Sequence, residues 1–167
     1  MQLEHHNTTT LVHNLEIVLL CDNITSPANI GSLFRIADSF GVSRIFFAGS
    51  KIDVSSSRLK RTARATQNKV AFQDTVDAYS CLNNLINEGF TSISLEITDK
   101  STSIKTFTNN NKSAKIVLII GNESAGVSDK LLEKCEHHVH INMFGQNSSM
   151  NVVQATAISL YELTKNN

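Results

Sequence analysis

The sequence predicts an α/β fold, a mostly parallel sheet flanked by helices, and three observations carry that prediction. Short apolar runs recur along the chain, amphipathic stretches separate them, and the runs lack strict polar–apolar alternation. A strand covered on both faces reads this way, whereas a strand with one wet face alternates. Alternating strand and helix patterns then place helices against the sheet.

A chain of 167 residues is enough for one sizeable core. The expected division is a short extension over residues 1–14 and a single domain over 15–167. The formal net charge of zero argues against a nonspecific coat for nucleic acid and leaves local patches to be judged singly. Cys21, Cys81 and Cys135 are widely spaced and form no Cys-x-x-Cys pair, which excludes a disulfide framework or zinc ribbon. The first residues, MQLEHHNTTT, have no apolar stretch like a signal peptide, and nothing later is long enough to span a membrane. A reduced, cytoplasmic protein is expected. His5 and His6 carry no argument.

Taken in order, LEIVLL (Leu15–Leu20), RIFFAG (Arg44–Gly49), FTSISLEI (Phe90–Ile97) and KIVLII (Lys115–Ile120) read as strands, with HHVHINM (His137–Met143) a weaker fifth. Helices are expected near Pro27–Phe40, Thr75–Asn87, Val127–Cys135 and Ser148–Leu163. The polar stretch TDKSTSIKTFTNNNKSAK reads as a surface connection with room for a short helix. The first helix is well punctuated: Ser26 suits its cap, Pro27 its first position and Gly41 its end. Ile30, Leu33, Ala37 and Phe40 form its apolar stripe, and Arg35 lies on another face. Gly31, one turn before Arg35, would let a bulky group approach the guanidinium. The plainer alternative is an exposed Arg35 paired with Asp38 or Ser39 at helical spacing.

GNESAG (Gly121–Gly126) follows an apolar strand and resembles a phosphate cradle, yet no lysine or hydroxyl follows its glycines as a Walker-type loop requires. Glu123 sits inside it instead, and a carboxylate facing a phosphate is repelled by about 1 kcal/mol even at the dielectric of water. The dinucleotide fingerprint fails as well, since the glycine spacing is wrong. The loop better suits a neutral or cationic ligand held by backbone groups. Alternatively, Glu123 caps the helix near Val127 and the glycines only form a turn. In the last segment, Asn147, Ser148, Ser149 and Asn151 gather polar side chains just before a helix that is apolar around most of its circumference. Such a helix must be covered on more than one side; sheet packing explains one, and a subunit interface is a natural explanation for another.

Three separated stretches, NIGSLFR, IIGNESAGV and INMFGQNSSMNVVQA, together resemble the three motifs of the SpoU (TrmH-type) RNA 2′-O-ribose methyltransferases of the SPOUT superfamily. The resemblance runs from about Leu15 to Leu163. It implies a C-terminal deep trefoil knot and an S-adenosylmethionine site made mainly of backbone groups at Gly121, Ile141 and Met150, with Leu95 at the preceding strand end. It implies that Asn29, Arg35, Glu123, Ser149 and Asn151 are the functional polar residues, and that the site forms where two copies of a homodimer meet. The implied reaction is methyl transfer to a ribose 2′-hydroxyl of structured RNA, with tRNA favoured over rRNA. Because a guanidinium is hard to deprotonate, Arg35 suits a clamp on RNA phosphate and a stabiliser of the developing alkoxide. Asn29 would orient Arg35, while Glu123, Ser149 and Asn151 shape the pocket. A noncatalytic RNA-binding relative would need a damaged set, and all five residues are present. Two departures stand out: Asn142 occupies a position usually proline, a loss of rigidity, and Met150 one usually leucine. Short flanks put independent selection of RNA in doubt.

KIDVSSSRLKRTARATQNK holds Lys51, Arg58, Lys60, Arg61, Arg64 and Lys69 against the single acid Asp53. Arg58, Lys60, Arg61 and Arg64 are candidates for holding an RNA backbone, against the commoner meaning of a solvated helix face. No aromatic residue is interleaved, so base stacking is not signalled there. Cys135, His137, His138 and His140 invite a metal reading. Although His138 and His140 would share one strand face, no further ligand cluster supports it, and no metal is expected.

Overall fold

The computed structural model describes residues 11–49, 51–110 and 113–165; His5 and His6 lie outside them. The elements run β1 (Glu16–Asp22), α1 (Pro27–Ser39), β2 (Arg44–Ala48), α2 (Ser57–Ala63), β3 (Ala71–Thr75), α3 (Ala78–Asn87), β4 (Thr91–Leu95), β5 (Thr102–Ser103), α4 (Ile104–Asn110), β6 (Lys115–Ile120), α5 (Asp129–Lys134), β7 (His137–His140) and α6 (Val152–Thr164). The strands form one sheet in the order β3-β2-β1-β6-β4-β7-β5. Every strand pair is parallel.

The continuous apolar runs follow from the sheet's two covered faces. Ile17, Leu19 and Cys21 of β1 join a cluster with Leu33 and Phe34 of α1, Leu59 of α2, Phe107 of α4 and Leu160 of α6. Val18 and Leu20, the intervening residues, join a second cluster with Leu82 and Leu85 of α3 and Leu131 of α5. With alternate side chains on opposite faces, every position of β1 between Ile17 and Leu20 must be apolar. Each fully buried leucine or phenylalanine contributes about 1.5–3 kcal/mol.

Five strands were expected, and seven form among the described residues. AFQDT makes β3, an edge strand whose residues are exposed or half-buried, so it has little apolar signal to read. The stretch expected to be a surface connection contributes β5 and α4, and it buries Ile104 and Phe107 in the core. α3 starts at Ala78 rather than Thr75, because Thr75 completes β3 and the Asp77 side chain caps the helix by accepting from Tyr79 N at 3.0 Å.

α1 starts at Pro27 as expected and ends at Ser39, one residue before Phe40. Ser26 occupies the N-cap without a side-chain hydrogen bond, and the helix start rests on Pro27. At the other end Gly41 takes φ +62°. There Val42 N bonds Ala37 O at 2.9 Å and Gly41 N bonds Asp38 O at 3.5 Å, the paired closure that a glycine past a helix end permits.

Gly31 does not open space beside Arg35. It is buried against α2, where an added β-carbon would overlap Thr62 Oγ1 and the Leu59 carbonyl. Thr62 Oγ1 also donates to Ala28 O at 3.0 Å. The absent side chain is therefore what lets α1 and α2 touch.

Candidate functional site

The site lies at the carboxyl ends of the central strands. α1 follows β1 onto one face of the sheet and α5 follows β6 onto the other. The loop after β6 is tied to the loop after β1, where Asn122 Nδ2 donates to Asn23 O at 2.8 Å, and on its other side it faces the loops after β4 and β7.

The loop after β6 is closed by a backbone bridge: Asn122 N bonds Gly126 O at 3.0 Å and Gly126 N bonds Asn122 O at 2.9 Å. Asn122 Oδ1 accepts from Ser124 N at 2.9 Å and Ala125 N at 3.1 Å, stiffening the turn from inside. A β-carbon on Gly121 would overlap the Gly126–Val127 backbone, so only glycine fits where the two ends of the loop cross. The turn reading of the glycines is thus realised, but Glu123 is not a helix cap. Ser128 takes the N-cap of α5, and Glu123 accepts a hydrogen bond from Asn29 Nδ2.

Asn29 in turn accepts from Asn151 Nδ2 at 3.3 Å, while Asn151 Oδ1 caps α6 by accepting from Val153 N at 2.9 Å. One residue from each sequence motif therefore enters a single hydrogen-bonded row, Glu123–Asn29–Asn151. Such a row fixes the relative placement of α1, the glycine loop and the start of α6.

Beside the row opens a cavity of about 810 Å³. Leu95, Gly121, Ile141 and Met150 all line it, as do Glu123, Ser149 and Asn151. Asn29 reaches it only through its hydrogen bonds. Arg35 is exposed and does not line the cavity. It forms no ion pair among the described residues, with Asp38 or any other acid. Its carbonyl accepts from Ser39 Oγ at 2.9 Å. Lying six residues after Asn29 on α1, it points about 120° away from it around the helix.

Arg58, Lys60, Arg61 and Arg64 are all exposed, on α2 and at its C-cap. Because Gly31 seats α2 on α1, this basic surface and Arg35 ride on one packed pair of helices. Arg64 adopts φ 54° and Ala65 φ 71°, a left-handed turn that ends α2 abruptly.

One acidic cavity residue escaped the sequence reading, and one histidine read there as a metal candidate is held differently. Glu96, next to Leu95, accepts from Ile97 N at 3.0 Å and Val127 N at 3.1 Å. His140 bonds Ser101 Oγ through Nδ1 at 2.9 Å and Asn142 Oδ1 through Nε2 at 3.0 Å. Asn142 therefore does not simply lose the stiffness of a proline, since its side chain pins His140. His138 is engaged by Ser94 Oγ at 2.7 Å, and burial pushes the Cys135 thiol up to about 12. Glu96 sits in no recognisable pattern, so only the fold could reveal it, whereas the alternating histidines that drew attention to His140 are engaged by Ser and Asn side chains.

Fold and cavity together define an open, parallel α/β protein with a ligand crevice at the carboxyl edge of its sheet. The chain belongs to the SpoU rRNA Methylase family, whose model matches residues 16–161. It is 28% identical over 147 residues to the 23S rRNA (guanosine(2553)-2′-O)-methyltransferase RlmP of Bacillus subtilis, covering 87% of this chain and 57% of that protein. It is 25% identical over 166 residues to a tRNA (guanosine(18)-2′-O)-methyltransferase of Saccharomyces cerevisiae, of which it covers 11%. The chain thus spans little more than half of the first relative and a small part of the second. An AdoMet-bound rRNA methyltransferase from Sinorhizobium meliloti has a similar fold, with a TM-score of 0.79 at 24% identity, covering 93% of this chain and 59% of that one. The TrmH/SpoU tRNA modifying enzyme of A. aeolicus gives 0.78 at 22%, covering 92% and 77%. Among the described residues, no helix is long and apolar enough to cross a membrane.

Proposed function

We propose that this chain transfers a methyl group from S-adenosylmethionine to a ribose 2′-hydroxyl of structured RNA, with tRNA the favoured class. The observation that carries the proposal is the Glu123–Asn29–Asn151 row at the edge of a nucleoside-sized cavity. The residues fit the cofactor. Glycine backbone at Gly121 leaves room for a close approach, and the wall carries no lysine or arginine among the described residues. That charge pattern suits a cationic nucleoside and disfavours a phosphate.

When bound, the cofactor supplies a methyl group already activated on a cationic sulfur; the sulfur keeps the bonding pair and the hydroxyl loses its proton. What remains for the chain is to align the ribose oxygen, exclude water and stabilise developing negative charge. Leu95, Gly121, Ile141 and Met150 would hold the cofactor, and Glu123, Ser149 and Asn151 would shape the edge where ribose arrives. Arg35 would clamp phosphate and stabilise the alkoxide. Since Arg35 is exposed and does not line the cavity of its own chain, it would serve the cavity of a second copy in a homodimer. Ile158 and Tyr161 on α6, 39% and 57% exposed, support an apolar contact of that kind. Arg58, Lys60, Arg61 and Arg64 would grip the RNA backbone, and the segment from Ile141 to Asn151 would carry the family's knot. The cytoplasm, where tRNA and rRNA are met, is the proposed location.

The test is transfer from labelled S-adenosylmethionine to RNA lacking native modifications, with nucleoside mass spectrometry of separated tRNA and rRNA. A 2′-O-methylnucleoside in one fraction, lost with Arg35→Ala, is the expected result. Cofactor binding without transfer to any RNA would overturn the enzyme reading.

A further inference from the structure

The glycine loop has a partner that no motif marks. Glu96 ends β4 one residue past Leu95, and its half-buried carboxylate is held from two sides. Oε1 accepts from Ile97 N at 3.0 Å, and Oε2 accepts from Val127 N at 3.1 Å, where the loop meets α5. Gly126, at φ +70°, is placed so that any β-carbon would overlap Oε2. The two backbone bonds hold the carboxylate at the cavity wall.

Its surroundings give that position an electrostatic meaning. Glu96 and Glu123 are the acids of the wall, and no lysine or arginine opposes them among the described residues. Glu123 is exposed and shared with Asn29, so water screens it. Glu96 is half-buried and bound only to backbone donors, so its charge acts through less water.

We propose that Glu96 makes the cavity select a cationic ligand over its neutral counterpart, favouring the sulfonium cofactor over the thioether left after transfer. The proposal rests on the cofactor assignment above. Methyl transfer removes one positive charge from the ligand. A fixed negative charge on the wall holds the reactant but has little grip on the product, so it speeds exchange of one for the other. For unit charges about 5 Å apart the dielectric of water alone gives a factor of about 4, and partial burial raises it, so a selectivity of at least about threefold is expected.

The experiment is calorimetric titration of the full chain with S-adenosylmethionine, S-adenosylhomocysteine and sinefungin, which carries an amine cation in place of the sulfonium. Glu96→Gln should weaken the two cationic ligands at least about threefold and leave the neutral thioether within about twofold. Glu96→Asp keeps the charge and should keep the preference for cations even if every ligand binds less tightly. Glu133→Gln, on the exposed surface of α5, should change none of the three. Equal weakening of all three ligands by Glu96→Gln would mean that Glu96 only shapes the loop, and would overturn the proposal, as would no change at all. Wild-type protein that binds none of them would overturn the cofactor assignment itself, and this proposal with it.

Discussion

The Asn29 amide and the Glu123 carboxylate, 94 positions apart in the chain, are joined by a hydrogen bond from Nδ2 to Oε1. It ties the start of α1 to the tip of the glycine loop, and Asn151 extends the tie to α6. Because these groups are exposed, the tie adds little to stability. Its effect is on placement.

Asn29→Ala should therefore reduce kcat/KM for RNA at least about tenfold while changing the free energy of unfolding by no more than about 1 kcal/mol. Asn29→Ala combined with Glu123→Ala should lose little beyond the worse single variant, because both remove one shared interaction. Methylation kinetics and urea denaturation of the three variants check this.

Gly31→Ala should act on stability. The new methyl meets Thr62 Oγ1 and the Leu59 carbonyl, so α2 must move off α1. A loss of about 1–3 kcal/mol is expected in urea unfolding. RNA affinity should fall with it, since the basic helix shifts away from Arg35.

Gly121→Ala should abolish cofactor binding. The added carbon overlaps the backbone at Gly126 and Val127, so the loop that lines the cavity must open. Calorimetry should detect no S-adenosylmethionine binding, even where circular dichroism shows a folded chain.

The cysteines set an alkaline limit. Burial pushes Cys81 up to about 11 and Cys135 up to about 12, and drives Cys21 upward as well. Unfolded thiols ionise above about 8.5, whereas the folded ones keep their protons. The stabilisation is present below that value and declines as pH rises toward the folded values. Melting temperature should fall between pH 8.5 and 10.5, and Cys135→Ala should reduce the slope.

Subunit mixing tests the shared site. If Arg35 serves the neighbouring copy, a dimer pairing Arg35→Ala with Glu123→Ala contains one intact site. Equal mixing of the two inactive proteins should restore about a quarter of wild-type activity. If Arg35 acted within its own chain, mixing would restore none.

Much of this architecture was legible because doubly covered strands must be apolar throughout. KIVLII was placed to the residue, and α1 was bounded by its proline and glycine. β3 was not legible, because an edge strand such as AFQDT buries too little to leave a pattern. In the site, ordered motifs marked Gly121, Glu123, Ile141, Ser149, Met150 and Asn151, all of which line the cavity, yet Gly31 was misread and Glu96 passed over. The smallness of Gly31 is used by a helix distant in sequence, and the role of Glu96 depends on Val127 N, supplied from another strand's loop. Such contacts have no local sequence signature.

The placement of β6 has a consequence for how the protein is made. Glu16 of β1 pairs with Lys115 of β6, and β4 pairs with the other edge of the same strand. During synthesis both β1 and β4 wait with an open edge until the last third of the chain emerges. Contacts so distant in sequence form slowly. A chain halted before Lys115 presents two apolar strand edges without their common partner, and these would template association between nascent copies. Insertion of β6 is thus also the step that closes both of these edges at once.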